Sequence, residues 1–197
     1  MRILAISDVP ARTYYDFYRP GCLDEFDLIL SCGDLPGDYL EFLVTLAHCP
    51  LVYVLGNHDE PLWREPPGGC DSAEDKIVVV NGIRILGLGG SIRYKDFYHK
   101  MYTEREMRSR IRKLWWQLRK YGGFDILLTH SPARGLNDFD TDTHRGFECF
   151  LDLLDKYAPR YFVHGHIHQS YDFRVPRRTE LGETTVINAY DHYAFDY

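Results

Sequence analysis

The sequence predicts an α/β domain built on a parallel sheet, and three observations support this fold class. Apolar runs at 27–32 and 50–56 are typical of buried strands, and they flank a helical pattern over 37–50. Such a strand–helix–strand unit is the signature of a parallel sheet. The chain has 197 residues, of which 45% are hydrophobic, so one core could serve the whole of residues 1–197. We therefore expect a single domain.

The other elements of the N-terminal half each have a local signal. Residues 2–7 form an apolar run typical of a buried strand. Residues 65–75 contain proline and glycine pairs and are predicted to form a loop. Two apolar runs joined by Asn81-Gly82 predict a β-hairpin, because this dipeptide suits the two positive φ angles of a type I′ turn.

A long helix is predicted over 103–123 in the second half of the chain. Thr103 and Glu106 fit a capping box at its start, and Gly122 suits its C-terminal end. Its apolar stripe, which should pack on the core, consists of Met107, Ile111, Leu114, Trp115 and Leu118. The remaining predicted elements are a strand at 124–130, a helix at 147–157 and strands at 160–165, 170–175 and 184–190. The aromatic C-terminal tail, residues 188–197, could pack against the sheet or join a dimer.

Composition and charge limit the cellular context and the partners. The net charge of −6 argues against a general binder of nucleic acid or of membrane surfaces. The five cysteines are scattered and form no CxxC pair, so they are interpreted as reduced thiols. No apolar segment is long enough to span a bilayer, and no leader pattern precedes the first strand. We expect a cytoplasmic protein without a membrane partner, and its oligomeric state is left open.

Polar side chains follow five of the predicted strands at the point where each strand ends. They are Asp8, Asp34, Asn57, His58, Asp59, His130, His166 and His168. Taken singly, each could be a turn residue or a satisfied core histidine. Together they lie where open α/β sheets place their sites. The oxygen and nitrogen donors, without thiolates, favour manganese, iron or zinc.

The order of these motifs resembles that of the calcineurin-like metallophosphoesterases, in particular the bacterial single-domain members. The family pattern is D-x-H, GD, GNH[DE], H and GHxH. The corresponding segments here are DVP (8–10), GD (33–34), GNHD (56–59), TH (129–130) and GHIH (165–168). The resemblance implies a four-layer α/β/β/α sandwich. It also implies a metal-dependent phosphoesterase that hydrolyses a phosphate monoester or diester of a small molecule by attack of a metal-activated hydroxide.

The resemblance also implies a role for each motif residue. Asp34 would be shared by two metal ions. The first ion would be completed by Asp8 and His168, and the second by Asn57, His130 and His166. His58 would be the general acid that protonates the leaving oxygen, and Asp59 would orient it.

The chain departs from the family pattern at Pro10, where a second histidine or similar ligand is usual. Proline offers no ligand atom, so the first ion keeps three protein ligands while the second keeps four. We therefore expect one tightly bound divalent ion and a second, weaker one. His99, His144 and His192 are interpreted as surface or loop histidines.

The loop 9–20 after the first strand is rich in arginine and tyrosine. It could be a surface loop whose tyrosines pack on the domain. Alternatively it could clamp substrate, with Arg12 on a phosphate oxygen and Tyr14 or Tyr15 stacking on a flat group. Arg12 could also lie in the space vacated at Pro10 and disfavour the first cation.

Two other functions compete with the phosphoesterase interpretation. Pro10 could mark a non-catalytic interaction module on the same fold, although such a module would not need His58 and Asp59. A nuclease is the third possibility, and the acidic balance and lack of a long basic stripe argue against it.

Overall fold

The structure is a computed structural model that describes residues 1–95, 99–169 and 175–197. The described strands are β1 (Arg2–Ser7), β2 (Leu28–Ser31), β3 (Leu51–Tyr53), β4 (Asp71–Ser72), β5 (Lys76–Val80), β6 (Ile83–Leu88), β7 (Ser91–Ile92), β8 (Met101–Tyr102), β9 (Ile126–Thr129), β10 (Tyr161–His164), β11 (Arg178–Leu181), β12 (Thr184–Asn188) and β13 (Asp191–Asp196). The helices are α1 (Gly37–Ala47), α2 (Glu60–Arg64), α3 (Glu104–Lys113), α4 (Trp115–Tyr121) and α5 (Glu148–Tyr157).

Two larger sheets and their flanking helices form the four predicted layers. The first sheet has the order β13-β1-β2-β3-β4, and the second has the order β11-β12-β10-β9-β6-β5. Strands β1 to β4 are parallel, as are β12, β10, β9 and β6, while β13, β11 and β5 run antiparallel at the edges. The α/β sandwich prediction is therefore confirmed.

Three hydrophobic clusters fill the spaces between these four layers. The central cluster joins the inner faces of the two sheets. A second cluster packs the outer face of the first sheet on α1. The third packs the outer face of the second sheet on α3, α4 and α5. Alternate residues of one strand serve different clusters, as with Ile3 and Leu4 of β1. Strands buried on both faces account for the uninterrupted apolar runs in the sequence.

Two local signals are confirmed in detail. Strands β5 and β6 pair antiparallel with Val80 opposite Ile83, and the connecting Asn81 and Gly82 have φ values of 50° and 84°. Both sides of the Thr103–Glu106 capping box are formed at the start of α3.

The predicted helix 103–123 is instead two helices, separated at Leu114. The Leu114 backbone N–H donates to the Ile111 carbonyl, three residues earlier, so the i−4 pattern is interrupted there. Leu114 and Leu118 remain buried, but Trp115, which was predicted to belong to the apolar stripe, is 60% exposed. The break turns that side chain away from the core.

The aromatic tail packs within the first sheet. Strand β13 pairs with β1 along its whole length, from Arg2 opposite Asp196 to Ser7 opposite Asp191. The predicted loop 65–75 contains the short strand β4. The predicted strand 170–175 lies almost entirely outside the described residues. None of the described helices combines the length and the apolar character needed to cross a bilayer.

Candidate metal centre

The two sheets contribute different ligand types to one site. The carboxylates and the amide, Asp8, Asp34 and Asn57, follow strands of the first sheet. The imidazoles, His130, His166 and His168, follow β9 and β10 of the second sheet. Because the parallel strands of both sheets end at the same edge of the sandwich, oxygen donors meet nitrogen donors there.

Atoms of three of these side chains surround one ring nitrogen of His130. Nδ1 of His130 lies 2.8 Å from the Cys32 carbonyl, to which it donates its proton. In the neutral ring, Nε2 then carries a lone pair. This atom lies 2.9 Å from Oδ1 of Asn57 and 3.4 Å from Oδ2 of Asp34, neither of which can donate.

His166 is oriented in the same manner. Its Nε2 lies 2.8 Å from the Thr143 carbonyl and donates to it, which leaves the lone pair on Nδ1. That Nδ1 is 3.1 Å from Nε2 of His130. A backbone carbonyl therefore fixes the tautomer of each imidazole, as is usual for histidines that bind metals.

The surroundings of His130 Nε2 favour a positive charge. Burial opposes a charge on His130, but the negative charge of Asp34 and their direct contact raise the pKa of His130 to about 9. Although burial acts against it, the same interaction with His130 lowers the pKa of Asp34 to about 2. Burial and the neighbouring His130 lower the pKa of His166 to about 3. A proton on His130 would supply a positive charge here, and a divalent cation would supply a larger one.

The part of the site around Asp8 has fewer donors than the part around His130. Oδ1 of Asp8 lies 3.4 Å from Nε2 of His168, and Oδ2 accepts the backbone N–H of His166 at 3.0 Å. Oδ1 of Asp8 is buried and accepts no hydrogen bond from the residues that the structure describes. Burial alone would raise the pKa of Asp8, yet the contacts with His168 and His130 hold it below the usual value. A buried carboxylate oxygen of this kind fits a cation ligand.

One ligand atom each from Asp8, Asp34 and His130 lie within 4.8 Å of one another. The Asp34 carboxylate therefore lies close to candidate ligands from both sheets. Its other oxygen, Oδ1, accepts the backbone N–H of His58 at 2.8 Å.

Backbone geometry explains the glycines in the motifs. Asp8, Asp34 and His166 all have positive φ, at 69°, 57° and 66°. Such conformations cost non-glycine residues about 1–3 kcal/mol each and cluster at functional sites. A Cβ on Gly56 would lie 2.0 Å from Oδ1 of Asp34, and one on Gly165 would lie 1.9 Å from Oγ of Ser7. Glycine allows the two loops to approach the ligands.

His58 and Asp59 differ in exposure and in contacts. His58 is exposed and lines the cavity over the centre. Asp59 is buried, and its Oδ2 accepts the backbone N–H groups of Asp34 at 2.8 Å and Gly56 at 2.7 Å. Burial and the nearby Asp34 charge raise the pKa of Asp59 to about 6. The described contacts of Asp59 thus hold two candidate ligand loops together. The role in orienting the His58 ring that the resemblance implies stays a prediction.

A cavity of about 420 Å³ lies over the candidate ligands. Its wall includes four residues that the sequence did not indicate, namely Tyr94, Lys95, Thr143 and His144. His144 was interpreted as a loop or surface histidine, yet its ring lies 5.5 Å from that of His166. These residues belong to loops with no periodic pattern, so only the folded chain could reveal them.

A profile of the calcineurin-like phosphoesterases matches residues 1–170 of this chain. The chain belongs to the calcineurin-like phosphoesterase family. The candidate metal ligands, from Asp8 to His168, all fall inside the matched range.

The chain is also similar to several known proteins and to a solved structure. The chain is 28% identical to the UPF0046 protein C25E10.12 of Caenorhabditis elegans over 81% of its length, which is 63% of that protein. It is 24% identical to the uncharacterized protein MJ1162 of Methanocaldococcus jannaschii over 95% of the chain and 87% of that protein. A lariat debranching enzyme of Drosophila pseudoobscura pseudoobscura is 24% identical over 78% of the chain, which spans 39% of the enzyme. The crystal structure of TT1561 of Thermus thermophilus has the same fold, with a TM-score of 0.65 at 18% identity over 96% of the chain and 89% of that structure.

The loop after β1 packs on the domain surface. Arg12 is 72% exposed and pairs with Asp16 at 3.0 Å. Tyr14 contacts Phe26 and His192 edge to face, and Tyr15 contacts Tyr39 and Phe42 in the same way. None of the described residues that line the cavity comes from the loop 9–20. These contacts favour the surface-packing interpretation over the substrate clamp, which stays a prediction.

Proposed function

We propose that this chain is a metal-dependent phosphoesterase that hydrolyses a phosphate ester of a small molecule. The observation that carries the proposal is that Nε2 of His130 lies against three atoms that do not donate, from Asp34, Asn57 and His166. Hydrogen bonds among these atoms cannot all be satisfied without a proton or a cation. Oxygen and imidazole donors without thiolate favour manganese, iron or zinc.

The residues fit two ions that share Asp34. Asn57, His130 and His166 would complete the second site, while Asp8 and His168 would contribute to the first. When bound, a pair of divalent cations neutralises phosphate oxygens and lowers the pKa of water. The protein supplies the fixed imidazole tautomers and the shared carboxylate that such a pair needs.

His58 is the group best placed to act on the leaving oxygen. Its side chain is exposed on the cavity wall, and its backbone N–H is tied to the shared Asp34. As a protonated imidazole it would donate its proton to the oxygen that departs from phosphorus while water supplies the new P–O bond. Asp59 holds the loop that carries His58 through two backbone bonds and so fixes its position.

The cavity suits a small substrate. Its volume of about 420 Å³ lies within the range of small-molecule sites. The chain as a whole carries a net charge of −6, so attraction of a phosphate ester must come from local cations rather than from the global field. A small phosphorylated molecule fits these conditions better than a nucleic acid.

Chelator-treated protein reconstituted with manganese, iron or zinc provides the test. We expect metal-dependent turnover of p-nitrophenyl phosphate or bis(p-nitrophenyl) phosphate, and none after chelation. The relative rates of the two esters distinguish a monoesterase from a diesterase. Cleavage of oligonucleotides with no turnover of either ester would favour a nuclease instead.

Pro10 supports one competing function, a non-catalytic interaction module. The absence of a ligand at this position would weaken the first metal site. Catalysis by two metal ions requires that both sites be occupied. A protein that binds one ion stoichiometrically but turns over neither ester at saturating manganese would have that role.

A further inference from the structure

A second cavity adjoins the metal-site cavity and shares part of its wall. The metal-site cavity has a volume of about 420 Å³, and the adjoining cavity has a volume of about 470 Å³. Tyr94 and Lys95 line both. A ligand that extends past these two side chains from the metal ions would therefore enter the adjoining cavity.

The adjoining cavity is mainly cationic. Its lining includes Arg93, Lys95 and Arg145, against one carboxylate from Asp142. The side chain of Asp142 is 91% exposed, so water screens its charge. In a chain of net charge −6, three cationic side chains thus lie together beside a predicted phosphate site.

The arginines of this cavity differ in what they can still bind. Arg93 is held by Glu106, with Nη2 at 3.0 and 2.8 Å from the two carboxylate oxygens, and is therefore fixed in place. Arg145 lies 3.6 Å from Asp140 and 3.8 Å from Asp142, both beyond hydrogen-bond distance. Within the described part of the chain, no hydrogen bond from the Arg145 guanidinium is formed, and its Nε is buried without a partner. Arg145 thus retains donors for an anion.

We propose that the adjoining cavity binds a second anionic group of the substrate, with Arg145 and Lys95 as its ligands. This inference rests on the proposed phosphoesterase function. The substrate class is a phosphate ester whose alcohol portion carries a further phosphate or carboxylate group. The scissile phosphate lies at the metal ions, the spacer passes Tyr94, and the distal anion remains unchanged by the reaction.

The strength of such a contact sets the expected preference. Hydrogen bonds to charged groups contribute enough to change an equilibrium constant about 10- to 100-fold. A planar guanidinium can bind a phosphate or carboxylate through two parallel hydrogen bonds. The second anion should thus appear mainly as a lower KM, because it is bound equally in the ground state and the transition state.

Matched synthetic esters test the proposal. The manganese-loaded protein is given the monophosphate and the bisphosphate of butane-1,4-diol and of hexane-1,6-diol, and 4-(phosphonooxy)butanoate. We expect kcat/KM for a bisphosphate to exceed that for its monophosphate about 10- to 100-fold. The phosphate ester that bears a carboxylate distinguishes a general anion site from one that selects phosphate. The two chain lengths report the distance between the metal ions and the second anion site.

Variants separate the anion site from general effects on the loop. Arg145→Met should reduce the ratio of bisphosphate to monophosphate kcat/KM to near one, and Arg145→Lys should restore part of it. Arg119→Met, which removes the same charge from α4, should leave the ratio unchanged. A mere loss of loop structure would lower turnover of both esters and keep their ratio.

Equilibrium binding distinguishes this proposal from the proposed function. Calorimetry with the manganese-loaded His58→Ala protein should show the same preference for the bisphosphate without turnover. Equal affinity for the two esters, or a preference that survives Arg145→Met, would overturn the second anion site even if both esters are hydrolysed. Tighter binding of the bisphosphate by a protein that hydrolyses neither ester would support the anion site and refute the phosphoesterase function.

Discussion

At the His130 end of the metal centre, both imidazoles are buried and each donates to a backbone carbonyl. At the Asp8 end, His168 is 29% exposed and its ring lies against Tyr190, with centroids 4.7 Å apart. The His130 end offers Asn57, His130, His166 and Asp34 before any ion arrives, whereas the Asp8 end offers Asp8, His168 and the same Asp34. The two proposed ion sites should therefore differ in affinity because one is better preorganised as well as because it has more ligands.

The position of Pro10 adds to this asymmetry. The next residue, Ala11, donates its backbone N–H to the Tyr39 hydroxyl at 3.1 Å, so the chain after Asp8 is anchored to α1. A replacement ligand from this segment would have to come from position 10 itself, where proline has none. Outside this segment, His144 is a histidine that lines the same cavity. Burial and the neighbouring His168 lower its pKa, which favours the neutral imidazole.

The largest effect should come from the carboxylate that the two ends share. Asp34→Asn keeps the positive φ and the acceptor for the His58 N–H, so the fold should persist. We expect the affinity for both ions to fall by more than about 100-fold, because even outer partners of a metal ligand typically contribute 10- to 100-fold. Metal analysis after gel filtration measures the number of ions bound per chain.

Asp8→Asn is the matched control for this variant, since Asp8 also has positive φ. It should weaken only the first ion and leave one ion per chain at the His130 end. One fully occupied metal site in the Asp34→Asn protein would show that the two ions do not share this carboxylate. The two metal sites would then be independent of each other.

The next effect tests whether His58 belongs to either end. If it is a general acid rather than a ligand, His58→Ala should lower kcat about 10²- to 10⁴-fold with both ions retained. His48→Ala removes an exposed histidine at the end of α1 and should change neither quantity. Loss of an ion from the His58 variant would assign the imidazole to a metal site.

A smaller effect is expected from restoring the missing ligand. Pro10→His should lower the manganese concentration for half-maximal activity by about 10-fold or more, on the scale of known ligand-shell contributions. Pro10→Ala is the control, because it removes the ring and its fixed φ without adding an imidazole. An equal decrease of this manganese concentration in both variants would attribute the weak first site to the shape of the loop. Wild-type protein purified with two ions at full occupancy would show that the two sites do not differ in affinity as proposed.

Much of this centre could be predicted from the sequence because its signals are local. An apolar run ending in Asp8 or His130 indicates both a buried strand and the residue at its carboxyl end. The break at Leu114 was missed because the apolar spacing continues through it, and a change from i−4 to i−3 bonding leaves no mark in the sequence. The roles of Asp59 and Thr143 depend on backbone groups of distant loops, which no sequence pattern specifies.

The smallest effect should come from Arg12, which follows Asp8 by four residues and was a candidate for the space near the first ion. Its charge is paired with Asp16 and its side chain is 72% exposed, so water screens it from the centre. Arg12→Ala should therefore change kcat/KM and the manganese requirement by less than about twofold. The free energy of unfolding should change by no more than about 1 kcal/mol, as for exposed ion pairs. Lys113→Ala, which removes a charge from the exposed end of α3, is a suitable control. A rise in KM at constant kcat would restore the substrate clamp, and a tighter first ion would show that Arg12 contributes to the weakness of the Asp8 end.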